Sequence, residues 1–203
     1  MPDSQKFKPT YILIALNIAF YVYTSVAGGN FLETSGDMIW QYGQVNGLVI
    51  YNGWYWQLLT SMFVHASIAH LAGNMLFLLI FGLRGEEMFS LPEYLSIYLL
   101  GGLTGNLLSL AFLPLDVPSA GASGAIFAVF GACVIYARRA VGQSIIGALI
   151  YAVFLLFLSS GPNVNDSAHI GGLLVGLLIG YVLAIKRKPG TAYKISYSYS
   201  HGF

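Results

Sequence analysis

The sequence predicts an all-α membrane protein, one domain of six spanning helices, and three observations carry that reading. The 203 residues are 57% hydrophobic and only 8% charged, against roughly 25% charged in soluble domains, so too little polar side chain exists to clothe a water-facing surface. The apolar residues form six continuous runs rather than alternating. That excludes a closed barrel and leaves helices to satisfy the backbone in lipid. The basic residues, finally, all fall on one side of a six-span parse.

Taken in order, the first run, Tyr11 to Ala27, follows Lys6 and Lys8 and ends in Gly28-Gly29-Asn30 with no small-residue cleavage site. It is expected to remain as span 1, with residues 1–9 as a short cytoplasmic N-terminus. The connection from about 28 to 55 is too long for a turn, and with the approach to span 2 it carries Trp40, Tyr42, Tyr51, Trp54 and Trp56, as an aromatic interfacial segment would. Further runs lie at roughly 68 to 83, 94 to 114, 120 to 137, 144 to 158 and 168 to 185, several of them short against the roughly 20 residues a span needs. The membrane domain is thus read as 10–186, followed by a tail, 187–203, whose last residues from Tyr193 to Phe203 partly alternate Ser and Tyr.

Lys6, Lys8, Arg84, Arg138, Arg139, Lys186, Arg187, Lys188 and Lys194 lie at the N-terminus or after spans 2, 4 and 6. The opposite connections hold only Glu33, Asp37, Asp116 and Asp166. Both termini are therefore expected in the cytoplasm of a multi-pass protein of the cell membrane. A net charge of +1 gives no basic face for nucleic acid. The single Cys133 provides neither a disulfide framework nor a cysteine-rich metal site, and no metal or cofactor is expected.

Ionisable and amide side chains are expensive inside a bilayer, so those that occur there are candidates for function. His70 and Asn74 stand at i and i+4 on one face of span 2. Ser123 opens span 4 in Gly121-Ala122-Ser123-Gly124, and His169 opens span 6 in Ala168-His169-Ile170-Gly171-Gly172. Counting from Arg84, Arg138 and Lys186 puts His70, Ser123 and His169 at about 21, 22 and 25 Å above the cytoplasmic ends. All three share one level, about 5 to 10 Å below the outer surface of a hydrocarbon layer roughly 30 Å thick. The N-termini of spans 2, 4 and 6 converge there, a setting that suits an anion formed during reaction. Below it, Gly124, Ala128 and Ala132 on span 4 match Gly172, Gly176 and Gly180 on span 6, and such ridges let two backbones approach.

A lone Ser in a membrane helix commonly bonds its own backbone, and a lone His near a helix end is commonly interfacial. Shared depth, orientation and the paired ridges set Ser123 and His169 apart. Asp166, three residues before His169, is read with Asn165 and Ser167 as a helix cap rather than as a third acid. His65 lies nearer the outer surface and is read as structural, His201 falls in the tail, and Cys133 is a buried apolar filler.

These stretches resemble the rhomboid family of intramembrane serine proteases. The run Trp54-Tyr55-Trp56-Gln57 through His65, then His70-Leu71-Ala72-Gly73-Asn74-Met75, is similar to the family's approach to span 2 with its His-xxx-Asn pair. Gly121-Ala122-Ser123-Gly124 resembles its nucleophile motif, Ala168-His169-xx-Gly172-xxx-Gly176 its general-base motif, and Gly82-xxx-Glu86 a further family element. The resemblance covers about 54 to 180. It implies Ser123 as nucleophile and His169 as base, with His70, Asn74 and the Ser123 N–H as oxyanion donors. It also implies that single-pass transmembrane proteins are the substrates, cut within the bilayer near the outer end.

Two positions depart from the family pattern. Gln57 stands where an Arg is usual, so a charge that would fix the first outer loop is missing. Phe127 stands where a Tyr often stacks on the catalytic His, which keeps the stack and drops the hydroxyl. The family's lateral gate would map to Gly73 and Met75 on span 2 and to Tyr151 and Phe154 on span 5. Against this enzyme stand a channel, which would need polar residues along the full depth of spans 4 and 6, and a catalytically inactive relative that binds membrane proteins, which would usually lack the Ser or the His. His-Glu-xx-His for zinc and a pair of membrane aspartates are absent from the sequence, and Ala125 breaks the Gly-x-Ser-x-Gly elbow of soluble hydrolases.

Overall fold

The computed structural model describes residues 8–140, 142–161 and 164–187, so the tail beyond Arg187, His201 included, lies outside the described residues. Nine helices occur among them: α1 Pro9–Ala27, α2 Gly36–Tyr42, α3 Asn46–Asn52, α4 Gln57–Thr60, α5 Ile68–Met88, α6 Leu91–Phe112, α7 Ser123–Ala140, α8 Ile146–Ser159 and α9 Asp166–Lys186. Each of the six apolar runs is one helix. Four of them, α1, α5, α6 and α9, are long and apolar enough to cross a membrane by length and composition. Helix α8 is shorter, at 14 residues.

Local chemistry fixes boundaries that differ from the expected ones. Helix α6 starts at Leu91 rather than 94 because Ser90 precedes it and Glu93 reaches back to accept the Ser90 N–H at 2.8 Å. It stops at Phe112 because Pro114 follows, and the residue before a proline is pushed into extended backbone, as Leu113 is with ψ 148°. Helix α7 begins at Ser123 rather than 120, since Gly121 holds φ +135°, which no helical residue adopts. Helix α5 begins at Ile68, as expected, where Ser67 caps it by accepting the His70 N–H at 3.2 Å.

Helix α7 is the hub. Ala122 and the residues from Gly124 through Cys133 are buried on several of its faces, whereas α8 buries only Ala148 and Ala152 and leaves Ile150, Val153 and Phe157 exposed, as a lipid-facing helix would. The expected ridges meet in register. A methyl built on Gly172 would strike Gly124, one on Gly176 would strike Ala128, and one on Gly180 would lie 2.6 Å from the Ala132 carbonyl oxygen. A second small-residue seam, absent from the sequence reading, packs α6 on both partners: Gly101 lies against Ala128, and a methyl on Gly105 would sit 2.5 Å from the Ala168 carbonyl oxygen. At the other end of the bundle Glu86 accepts the Thr10 N–H at 2.7 Å, and Gly82 makes room for Thr10 and Tyr94, whose hydroxyls meet at 3.0 Å. That contact docks α1 on α5 and gives the Gly82-xxx-Glu86 element its physical purpose.

The connection between α1 and α5 is more than an aromatic surface segment. It runs to Ser67, holds α2, α3 and α4, and is pinned by amides that are almost wholly buried: Gln44, Asn46 and Gln57. Gln44 donates to the Asn106 carbonyl at 2.9 Å and Asn46 to that of Ser109 at 2.8 Å, both on α6.

Candidate active site

Ser123 is the first residue of α7 and His169 lies in the first turn of α9, so the Gly172–Gly124 contact one turn below holds their backbones together. The consequence is direct: His169 Nε2 and Ser123 Oγ lie 2.8 Å apart. Phe127, one turn along α7, stacks on the imidazole with centroids 4.6 Å apart and planes at 29°. His169 Nδ1 is buried and has no hydrogen-bond partner among the described residues. With Oγ donating to Nε2, the ring proton sits on Nδ1, and the ring's orientation rests on packing. The Asp166 carboxylate accepts from the Ser160 hydroxyl at 2.8 Å instead of reaching His169. The cap of α9 is Asn165, whose side chain accepts the Ala168 N–H at 3.0 Å.

His70 and Asn74 line the same cavity as Ser123 and His169, a space of about 490 Å³ whose remaining wall is largely apolar, with Phe77, Phe81 and Phe130 among its residues. His70 and Asn74 approach the chain at Gly121, two residues before Ser123. A methyl built there would lie 3.0 Å from His70 Nε2 and 3.8 Å from Asn74 Nδ2, and the positive φ makes any side chain strained. Asn74 Nδ2 donates one hydrogen to the His70 carbonyl at 3.1 Å, which leaves its second hydrogen for the cavity. The Gly121 N–H is held by the Ser61 carbonyl at 2.9 Å. Ser61 Oγ in turn accepts from Asn106 at 2.8 Å.

His65 is fully buried, in keeping with a structural side chain. Its ring meets that of His70 edge-on at 5.1 Å, and burial, then the neighbouring His70, pushes its pKa down to about 3, so at neutral pH it supports His70 as an uncharged ring.

Gln57 differs from expectation. It does not leave the outer loop loose: fully buried, it accepts the Val45 N–H at 2.9 Å and donates to the Trp40 carbonyl at 2.7 Å. A neutral amide thus ties α2 and α3 to α4 with no charge to desolvate. At the α5–α8 side of the cavity, Gly73 is a lining residue, but Met75 packs into the core, and α8 contributes Leu155 and Ser159 rather than Tyr151 and Phe154. Tyr151 rests edge-on against Phe130 at 5.4 Å.

Sequence reasoning missed Asn106, Ser61, Ser109 and Ser119 as supports of the site. For Asn106 and Ser109 the available signal was an uncharged hydrogen-bonding side chain in a helix rich in Leu and Gly, which needs a partner inside a bilayer; Ser61 and Ser119 lie in connections and gave no such signal.

A family model, that of the Rhomboid domain, matches residues 52–186. Among curated proteins, the chain is 36% identical over 190 residues to Rhomboid protease GluP of Bacillus subtilis (strain 168), covering 90% of this chain and 36% of that protein. It is 37% identical over 167 residues to RHOMBOID-like protein 2 of Arabidopsis thaliana, covering 78% of this chain and 50% of that one. Over 141 residues it is 36% identical to the mitochondrial RHOMBOID-like protein 6 of the same plant, covering 66% and 46%. The chain therefore spans half or less of the length of these relatives.

Proposed function

The chain belongs to the rhomboid family of multi-pass integral membrane proteins, and on that premise we propose that it is an intramembrane serine endopeptidase working through a dyad of Ser123 and His169. The observation that carries the reading is the 2.8 Å contact between Ser123 Oγ and His169 Nε2 at the wall of a cavity. An isolated serine is a weak nucleophile, and a base within hydrogen-bond reach is what activates it.

In the proposed reaction His169 Nε2 takes the Ser123 proton as Oγ attacks the scissile carbonyl. The oxygen that becomes negative is met by donors from His70, Asn74 and the Ser123 N–H. His169 then returns the proton to the departing amine, leaving an acyl group on Ser123. A water, deprotonated by the same imidazole, releases it. No third carboxylate assists, so the Phe127 stack and the fixed placement of α9 hold the base.

Residues 10–186 form the catalytic domain in this reading, with six membrane crossings and both termini in the cytoplasm. Single-pass membrane proteins are the substrates, entering as a helix whose end must unwind before a peptide bond can reach Oγ, because backbone groups in lipid are otherwise locked in helical bonds. Incubating the detergent-purified protein with a labelled fluorophosphonate tests the reading without knowledge of a substrate. Labelling of the wild type and none of Ser123→Ala is the expected result. A folded wild type that takes no label would point to an inactive, binding-only relative.

A further inference from the structure

We propose that Asn165 is a positioning residue of the dyad, its amide tying the first turn of α9, which carries His169, to the loop that leads into Ser123. The proposal rests on the protease reading above and deepens it. Asn165 Oδ1 accepts the Ala168 N–H at 3.0 Å, and its backbone carbonyl accepts that of His169 at 3.3 Å. Capping needs no more than this. Yet Nδ2 uses both of its hydrogens elsewhere, donating to Ser119 Oγ at 2.7 Å and to Ser109 Oγ at 2.8 Å.

Those two partners are themselves fixed. Ser119 stands four residues before the nucleophile, and its backbone pairs with Gln44 in both directions at 2.8 Å, which fastens it to the outer connection. Ser109 is fully buried on α6 and donates to the Gly105 carbonyl at 2.9 Å, at the glycine where α6 and α9 touch. One side chain therefore joins the base helix, the nucleophile loop and α6. With His169 Nδ1 lacking a partner among the described residues, the height and tilt of the first turn of α9 decide where Nε2 points. Asn165 sets both.

Asn165→Asp and Asn165→Thr separate this role from capping, since both keep an acceptor for the Ala168 N–H and both lose the paired donors, the first with an added charge and the second without. Both variants, measured on a transmembrane substrate, are expected to lose about 10- to 100-fold in kcat and to take fluorophosphonate at Ser123 correspondingly more slowly. KM should stay near wild type in both, as should the pH profile of the Thr variant, and the loss should persist after correction for the folded fraction, which a lower melting temperature reduces. Ser119→Ala, which removes one of the two bonds, should give a smaller loss of the same kind, and adding it to Asn165→Thr should cost nothing more.

Wild-type kcat in both Asn165 variants would overturn the proposal. So would a loss confined to the Asp variant with a displaced pH profile, or a loss that merely tracks the folded fraction. If the Asn165 variants do not fold, Ser119→Ala decides alone, and wild-type kcat there overturns it. A folded wild type that takes no label would instead remove the protease reading and this proposal with it.

Discussion

Replacing Gly172 by alanine adds one methyl group at the contact that sets the dyad distance. Built on the α9 backbone, that methyl carbon lies 2.7 Å from the Gly124 carbonyl carbon and nearer still to its oxygen. Carbon–carbon contact becomes comfortable at about 3.5 Å, so the two backbones must part by at least about 0.8 Å at this level, and by more to clear the nearer oxygen. His169 lies three residues above, on the same first turns of α9, and moves with it. Adding that displacement to the 2.8 Å between Ser123 Oγ and His169 Nε2 leaves about 3.6 Å, which is no longer a hydrogen bond. Gly172→Ala is therefore expected to lower kcat on a transmembrane substrate about 100-fold, and the strain of overpacking should destabilise the protein by about 1 to 3 kcal/mol. Turnover and thermal unfolding are measured on one proteoliposome preparation. Gly36→Ala serves as the control, because a methyl there meets nothing within 4 Å. Wild-type turnover together with a wild-type melting temperature for Gly172→Ala would refute the claim that backbone contact sets the dyad.

Asn74→Ala should lower kcat by about 10- to 1000-fold with little change in KM, as loss of a single oxyanion donor does; unaltered kcat and labelling rate would eliminate that role. Gln57→Ala strips partners from the buried Val45 N–H and Trp40 carbonyl and is expected to destabilise the protein by about 1 to 3 kcal/mol, read as a lower melting temperature and earlier proteolytic nicking between α2 and α4; an unshifted melting temperature would show that the amide does not hold the loop.

The part of the molecule legible in the sequence is the part governed by period and depth. Six apolar runs become six helices, and the i, i+4 spacing of Gly172, Gly176 and Gly180 against Gly124, Ala128 and Ala132 appears as a continuous backbone contact. Ser123 and His169 could be paired from their distances to the basic ends because rise per residue is nearly constant in a helix. The outer connection was not legible in this way. Gln57 read as a missing charge, and Gln44, Asn46 and Asn106 carried no local signal, because their role depends on which distant carbonyl each one reaches, such as Asn106 bonding the Leu58 carbonyl 48 positions earlier. Asn165 was visible as a cap because capping is local, and its bonds to Ser109 and Ser119 were not, because they span 56 and 46 positions. Helix α8 offers no motif at all, so the side chains it turns to the cavity could be found only from the fold.

The central claim is that Ser123 and His169 act as one nucleophilic unit, and it is tested most directly by the turnover of a transmembrane substrate by Ser123→Ala and His169→Ala, each shown to be folded and membrane-inserted. Members of such a unit fail together, so each single variant should lose more than about a thousandfold in kcat, and the double variant should be no slower than either. A folded His169→Ala protein that still cleaves at a rate near wild type would contradict the dyad, whatever Ser123→Ala does.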